Sequence, residues 1–260
     1  MNDSGISRLS PVFASVELLT SGDPTGPLAL EDRAIHVRGF LLDGSAAAVA
    51  RCRSWLSEEE RARADRFVRP DDRTRYILAH GGLRAVLARY TGLDPSGLAF
   101  QVGASGKPAL RDGSVLPQPL RFNLSHSHGR MLIAVARDRD VGVDLEQIRD
   151  KVEVVKLAER FYAAAEYQEI LRFADAGQAG EFYRYWVAKE AVLKGQGVGL
   201  RALQQCEILP GEDRSRAVST VSQDSGLLPG WTVQWVDCGA GWAGAVSAHG
   251  SDWAVRVVNP

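Results

Sequence analysis

Sulfur is scarce in this chain: three cysteines and two methionines in 260 residues. Cys52, Cys206 and Cys238 are far apart. The odd count and the lack of any C-x-x-C spacing exclude a disulfide framework and a cysteine-built zinc cluster. A reducing cytosol is the expected setting. Charge of one sign is missing too: 31 Lys and Arg against 32 Asp and Glu leave a net charge of −1. That balance gives no support to a general nucleic-acid binder, which is usually basic. No run approaches the roughly 18 apolar residues of a membrane helix. The opening MNDSGISRLSPVF has no basic start followed by an apolar stretch, so no signal peptide is expected. What remains is an ordinary globular composition, 45% hydrophobic and 24% charged, with ample material for a core. The length allows one large domain or two small ones.

The first 30 residues are rich in Ser, Pro and Gly, with one short strand expected over 12–19. A strand is predicted over 34–42. Ser57 is placed to cap a helix: Glu58, Glu59 and Glu60 fill its first turn, and Glu60 stands at capping-box spacing. Pro70 breaks that helix. The next starts at Asp71 or Asp72, carries Tyr76, Leu83, Val86, Leu87 and Tyr90 at helical spacing, and ends at Gly92. Strands follow over 98–102, 120–124, 131–136 and 141–145, with a turn-rich loop between the first two. Helices are predicted over 152–161, 164–173 and 180–194, the last stopped by Gly195–Leu200. Strands over 205–209, 231–236, 242–247 and 253–258 close the chain. Each half reads strand, helices, strands. That order fits an α+β protein, as two similar lobes or one mixed domain, dividing near Asp138–Asp140.

Five stretches carry chemistry. In Gly142-Val143-Asp144-Leu145-Glu146, the i, i+2 spacing on a strand sends both carboxylates to one face. They repel unless a cation lies between them, and Mg²⁺ takes one or two carboxylates together with phosphate oxygens. Taken alone, D-x-E equally describes a solvated acidic edge. In the helical run Trp186 to Lys194, Trp186, Glu190 and Lys194 share a face, with Lys189 about 100° away. The plain alternative there is a surface Glu–Lys pair worth a few tenths of a kcal/mol. The stretch Phe122 to Gly129 sets Ser125, His126, Ser127 and His128 at a strand end. Further zinc ligands are missing at a fitting spacing, and the flanks are not G-x-S-x-G. Hydroxyls beside an imidazole in a turn suit a phosphate. Gly106-Lys107-Pro108 fails as a P-loop, because Pro replaces Ser or Thr. Finally, residues 51–75 hold eight Arg against six acids, a solvated helical zone from which one or two arginines could meet a phosphate bidentately.

In this order and spacing, GKP, FNLSHS, GVDLE, FY…E and WVAKEAVLKGQGVGL closely resemble the 4′-phosphopantetheinyl transferases of the larger, surfactin-synthetase-activator type. The resemblance runs from about Trp55 to Leu200. It implies a monomeric, cytoplasmic enzyme that moves the phosphopantetheine arm of coenzyme A onto a serine of an apo acyl or peptidyl carrier protein, releasing 3′,5′-ADP. It also implies two pseudo-twofold-related α+β lobes, each a small mixed or antiparallel sheet packed with helices. Residues 1–138 would form the lobe for the 3′-phosphate and adenine. Residues 139–260 would carry the catalytic groups, with the site between the lobes.

By the same resemblance Asp144, Glu146 and Glu190 would hold Mg²⁺ on the pyrophosphate, and Lys194 would contact a phosphate. Lys107, Ser125 and His126 would hold the 3′-phosphate end, with the Gly106–Pro108 backbone against the adenine. Glu190 or a metal-bound water would deprotonate the serine, with Lys189 as a neighbour in proton handling and Glu166 an acid near the site. The early basic residues of the family's arginine-rich helix correspond here to Ser-Glu-Glu-Glu before Arg61. The basic role therefore falls to Arg63, with Arg61 or Arg66 as alternatives. Two other readings compete: another Mg²⁺-dependent nucleotide or phosphate transferase, and a non-catalytic binder of coenzyme A or a carrier. No nucleic-acid or membrane partner is expected.

Overall fold

The computed structural model describes residues 10–21, 28–103, 106–111, 119–149, 153–222 and 225–258. The chain runs β1 (Ala14–Ser15), β2 (Ala34–Leu41), α1 (Ala46–Trp55), α2 (Glu58–Asp65), α3 (Pro70–Thr91), β3 (Phe100–Val102), β4 (Pro108–Leu110), β5 (Leu120–Ser127), β6 (Arg130–Arg137) and β7 (Val141–Gln147). It continues through α4 (Val154–Phe161), α5 (Ala164–Leu171), α6 (Asp175–Gln196), β8 (Cys206–Pro210), β9 (Arg216–Val221), β10 (Trp231–Val236), β11 (Trp242–His249) and β12 (Ala254–Val257).

Two mixed or antiparallel sheets organise these elements. The first has the order β1-β2-β6-β5; β12 lies parallel to β2 on the edge that β1 also uses. The second is antiparallel, β7-β11-β10-β9-β8. The period-2 alternation of strands divides their side chains between three cores. On β6, Met131, Ile133 and Val135 join the core under α1–α3, while Leu132, Ala134 and Ala136 turn to a second core. That second core also takes Val141, Val143 and Leu145 of β7, so it glues one sheet to the other. A third core lies between the second sheet and α4–α6. The protein is thus α+β with two sheet-and-helix lobes. Strand β12 lies beyond the expected 138/139 divide, yet it pairs in the first sheet.

Local signals explain most boundaries. Ser57 accepts from the Glu60 amide at 3.2 Å, and Glu60 accepts from the Ser57 amide at 2.9 Å, closing the expected capping box. Helix α3 begins at Pro70 itself rather than after it, because the first helical position needs no N–H. It ends at Gly92, φ 71°.

Other elements differ from expectation. Only Ala14–Ser15 of the 12–19 stretch is strand; a 3₁₀ turn, Val16–Leu19, follows. The turn-rich loop contains β4, which pairs with β3. Strand β9 is an addition: its inward positions, Ala217 and Ser219, are small or polar, while Val218 faces out, so its sequence shows no apolar stripe. Helix α6 passes through Gly195 and stops at Gly197, φ 67°. Gly195 is there for contact: a Cβ would stand 2.3 Å from the Trp231 ring.

Candidate active site

The edge strands β5 and β7 meet side chain to side chain at the seam between the lobes. Asn123 accepts from the Val143 amide at 2.9 Å, Ser125 donates to Asp144 Oδ1 at 2.8 Å, and Ser127 donates to Glu146 Oε2 at 2.7 Å. The i, i+2, i+4 spacing on β5 supplies this ladder, with Phe122 and Leu124 turned into the core under the helices. Sequence reasoning missed Asn123 and the Ser127–Glu146 bond. The available signal was the polar alternation Asn123, Ser125, Ser127 inside an otherwise apolar strand.

Helix α6 lies across β7, and glycines set the distance. A Cβ on Gly142 would fall 1.9 Å from the Ala191 carbonyl oxygen and 2.5 Å from the Gly195 nitrogen, so backbone touches backbone. This contact brings Lys194 onto the acidic strand. Its Nζ lies 2.5 Å from Asp144 Oδ1, 3.1 Å from Ser125 Oγ and 3.8 Å from Glu190 Oε2. Burial opposes the charged ammonium, but Asp144 and Glu190 outweigh it and raise the Lys194 pKa.

One cation does not balance three acids. Burial, then Asp144, pushes the Glu190 carboxyl up to about 7. Burial also raises Glu146, against the bond from Ser127, and Asp144 adds to the rise. Asp144 is 1% exposed, and its Oδ2 is buried without a hydrogen-bond partner. Among the described residues no group of three acids, histidines or cysteines is arranged so that it could hold a metal ion. The Lys194 ammonium lies among these carboxylates. An all-oxygen set with an orphaned inner oxygen and excess negative charge fits a hard divalent cation such as Mg²⁺.

The other expected residues are dispersed. Lys189 and Glu166 do not join the cluster: Lys189, 0% exposed, pairs with Glu166 at 2.7 Å and donates to the Leu203 and Cys206 carbonyls. Glu166 also accepts from the Ala163 and Ile208 amides. His126 points from β5 to the face opposite Ser125, toward the helical side. Partial burial, then His80 and Lys194, lowers its pKa, so His80 of α3 belongs to its surroundings. Arg63 is exposed, its guanidinium 5.7 Å from the Tyr76 ring centroid, and Tyr76 stacks on His80. Gly106, φ 88°, turns the chain between β3 and β4. Lys107 and Pro108 line a cleft of about 550 Å³ together with Gln101, Phe122, Asp140 and Gly195. The three cysteines are buried and free, their thiols pushed up to about 12 by burial.

Comparison with known proteins bears on this arrangement. The family model described as 4′-phosphopantetheinyl transferase superfamily matches residues 140–246, and the model of the 4′-phosphopantetheinyl transferase N-terminal region matches residues 44–139. The 4′-phosphopantetheinyl transferase HetI of Nostoc sp. is 36% identical over 181 residues, 70% of this chain and 76% of that protein. The chain belongs to the 4′-phosphopantetheinyl transferase family. The transferase Sfp of Bacillus subtilis is 34% identical over 147 residues, 56% of this chain and 62% of its own length. The two family models meet at the β6–β7 connection, next to the strand that carries Asp144 and Glu146. Among the described residues of the transferase, no helix is long and apolar enough to cross a membrane.

Proposed function

We propose that this transferase moves 4′-phosphopantetheine from coenzyme A to a serine hydroxyl of an apo acyl or peptidyl carrier protein. The serine Oγ–P bond forms, the P–O bond to 3′,5′-ADP breaks, and the serine proton leaves to a base. The observation that carries the reading is the convergence of Asp144 and Glu190 on Lys194, with the Glu146 charge beside them, at the seam between the lobes. Asp144, Glu146 and Glu190 would hold Mg²⁺, which when bound neutralises pyrophosphate charge. Lys194 contributes a fixed positive charge beside the same phosphates. Glu190, or a water on the cation, would accept the serine proton.

The first lobe, residues 1–138, takes the nucleotide end of coenzyme A, with His126 and Arg63 on the phosphate side and the Gly106–Pro108 turn toward the base. The second, which begins at residue 139 and returns β12 to the first sheet, supplies the acids and Lys194. The protein acts in this reading as a cytoplasmic monomer on protein partners. Intact-mass spectrometry of an apo carrier incubated with coenzyme A and Mg²⁺ tests it: a gain of about 340 Da is expected, lost without metal or in Glu190→Ala. No mass gain on several acyl and peptidyl carriers would overturn it.

A further inference from the structure

Lys107 spends its hydrogen bonds on the protein. It rises from the β3–β4 turn of the first lobe, and its Nζ donates to the Gly195 carbonyl at 2.6 Å and the Val141 carbonyl at 3.2 Å. Asp140 Oδ1 stands 3.8 Å away on the remaining side. An ammonium has three N–H donors. Two are committed to carbonyls and the third faces a carboxylate, so the group is satisfied without any ligand. Both carbonyls belong to the second lobe, and their places matter. Gly195 follows Lys194 directly and lies in the last turn of α6, where carbonyls lack intrahelical partners and attract a cation. Val141 opens β7, three residues before Asp144. Between them, Gly142 and Gly195 touch backbone to backbone.

We infer that Lys107 is a positioning residue, a strap that caps the end of α6 and ties it to the start of β7, thereby fixing Lys194 against Asp144. This replaces the phosphate-holding role that the sequence resemblance implies for Lys107, and it rests on the transferase reading above. A strap of this kind acts through Lys194 and Asp144 and is indifferent to the 3′-phosphate.

Dephospho-coenzyme A, which lacks the 3′-phosphate, separates the two roles. Transfer to an apo carrier is measured with both donors, using the full chain and Lys107→Met. A strap predicts a fall in kcat of about tenfold to a hundredfold, as for a reacting group displaced by an ångström, and the same fold-loss with either donor. A loss confined to KM for coenzyme A, and vanishing with dephospho-coenzyme A, would overturn the strap in favour of a phosphate ligand. Lys107→Arg keeps charge and donors. It should recover part of kcat with both donors equally, and it carries the comparison if the Met variant does not fold. Hydrogen exchange without substrate gives a second readout independent of turnover: amides of the last turn of α6 should exchange faster in Lys107→Met. Unchanged exchange there overturns the strap. If the unmodified protein transfers nothing from either donor, the transferase reading fails, while exchange still decides the strap.

Discussion

Two lysines five residues apart on α6 meet carboxylates in opposite ways. Lys189 closes on Glu166 in a dry, fully bonded pair: every oxygen of Glu166 and the ammonium of Lys189 have partners within the fold. Lys194 meets Asp144 and Glu190 with Glu146 bonded to Ser127 beside them, Asp144 Oδ2 stays unpartnered, and burial, then Asp144, pushes the Glu190 carboxyl up to about 7. The first pair is complete and holds α5, α6 and β8 together. The second carries surplus negative charge at a seam between lobes. Bonding capacity left over, rather than the presence of a Glu–Lys motif, separates a structural ion pair from a reactive site.

The comparison is broken most severely by removing one partner of the closed pair. Glu166→Ala leaves Lys189 buried and uncompensated. It should cost about 3–5 kcal/mol in urea unfolding. Glu190→Ala at the open site should instead lower transfer by about a hundredfold to a thousandfold, with no comparable loss of stability. A similar stability loss in both variants would erase the distinction.

Protonation sharpens it further. The folded pKa of Glu190, about 7, lies above its ordinary 4.5, so the folded state binds a proton that the unfolded chain has lost in that window. Its contribution to stability is therefore complete below about pH 4.5 and lost as pH rises through 7. Glu190→Gln should remove this slope and leave the metal-free protein more stable at pH 8, by on the order of 1–3 kcal/mol. Denaturant titrations at pH 5 and pH 8 without divalent metal check it, and an unchanged slope refutes it. Smallest is Ser57→Ala, far from either pair. It removes a helix cap and should cost about 1 kcal/mol in urea unfolding.

Legibility in the sequence followed range. The capping box at Ser57, the stop at Gly92 and the i, i+2 projection of Asp144 and Glu146 were readable, since each depends on residues within one turn or one strand pair. Strand β9 was not, because its buried positions are Ala217 and Ser219. Gly195 looked like a helix terminator, yet its missing Cβ serves Trp231 and Gly142 while the helix runs on to Gln196. At the seam, Glu190 and Lys194 are legible from the helix face they share, whereas Asn123 and His80 have no sequence-local partner to mark them.

By itself the sequence determined the types of the long helices and central strands, the family resemblance, and which acids and lysines are available: these depend on spacing along the chain. Tertiary structure alone decided which lysine stands among incompletely bonded carboxylates and which is sealed. Lys189 and Glu190 are neighbours in sequence, but 100° of helical rotation turns one into the core beneath β8 and the other toward β7. It also decided that Lys107 grips two carbonyls of the opposite lobe, and that β12 returns to the first sheet. Those outcomes depend on contacts between residues 34 to 220 positions apart, and no local pattern encodes them.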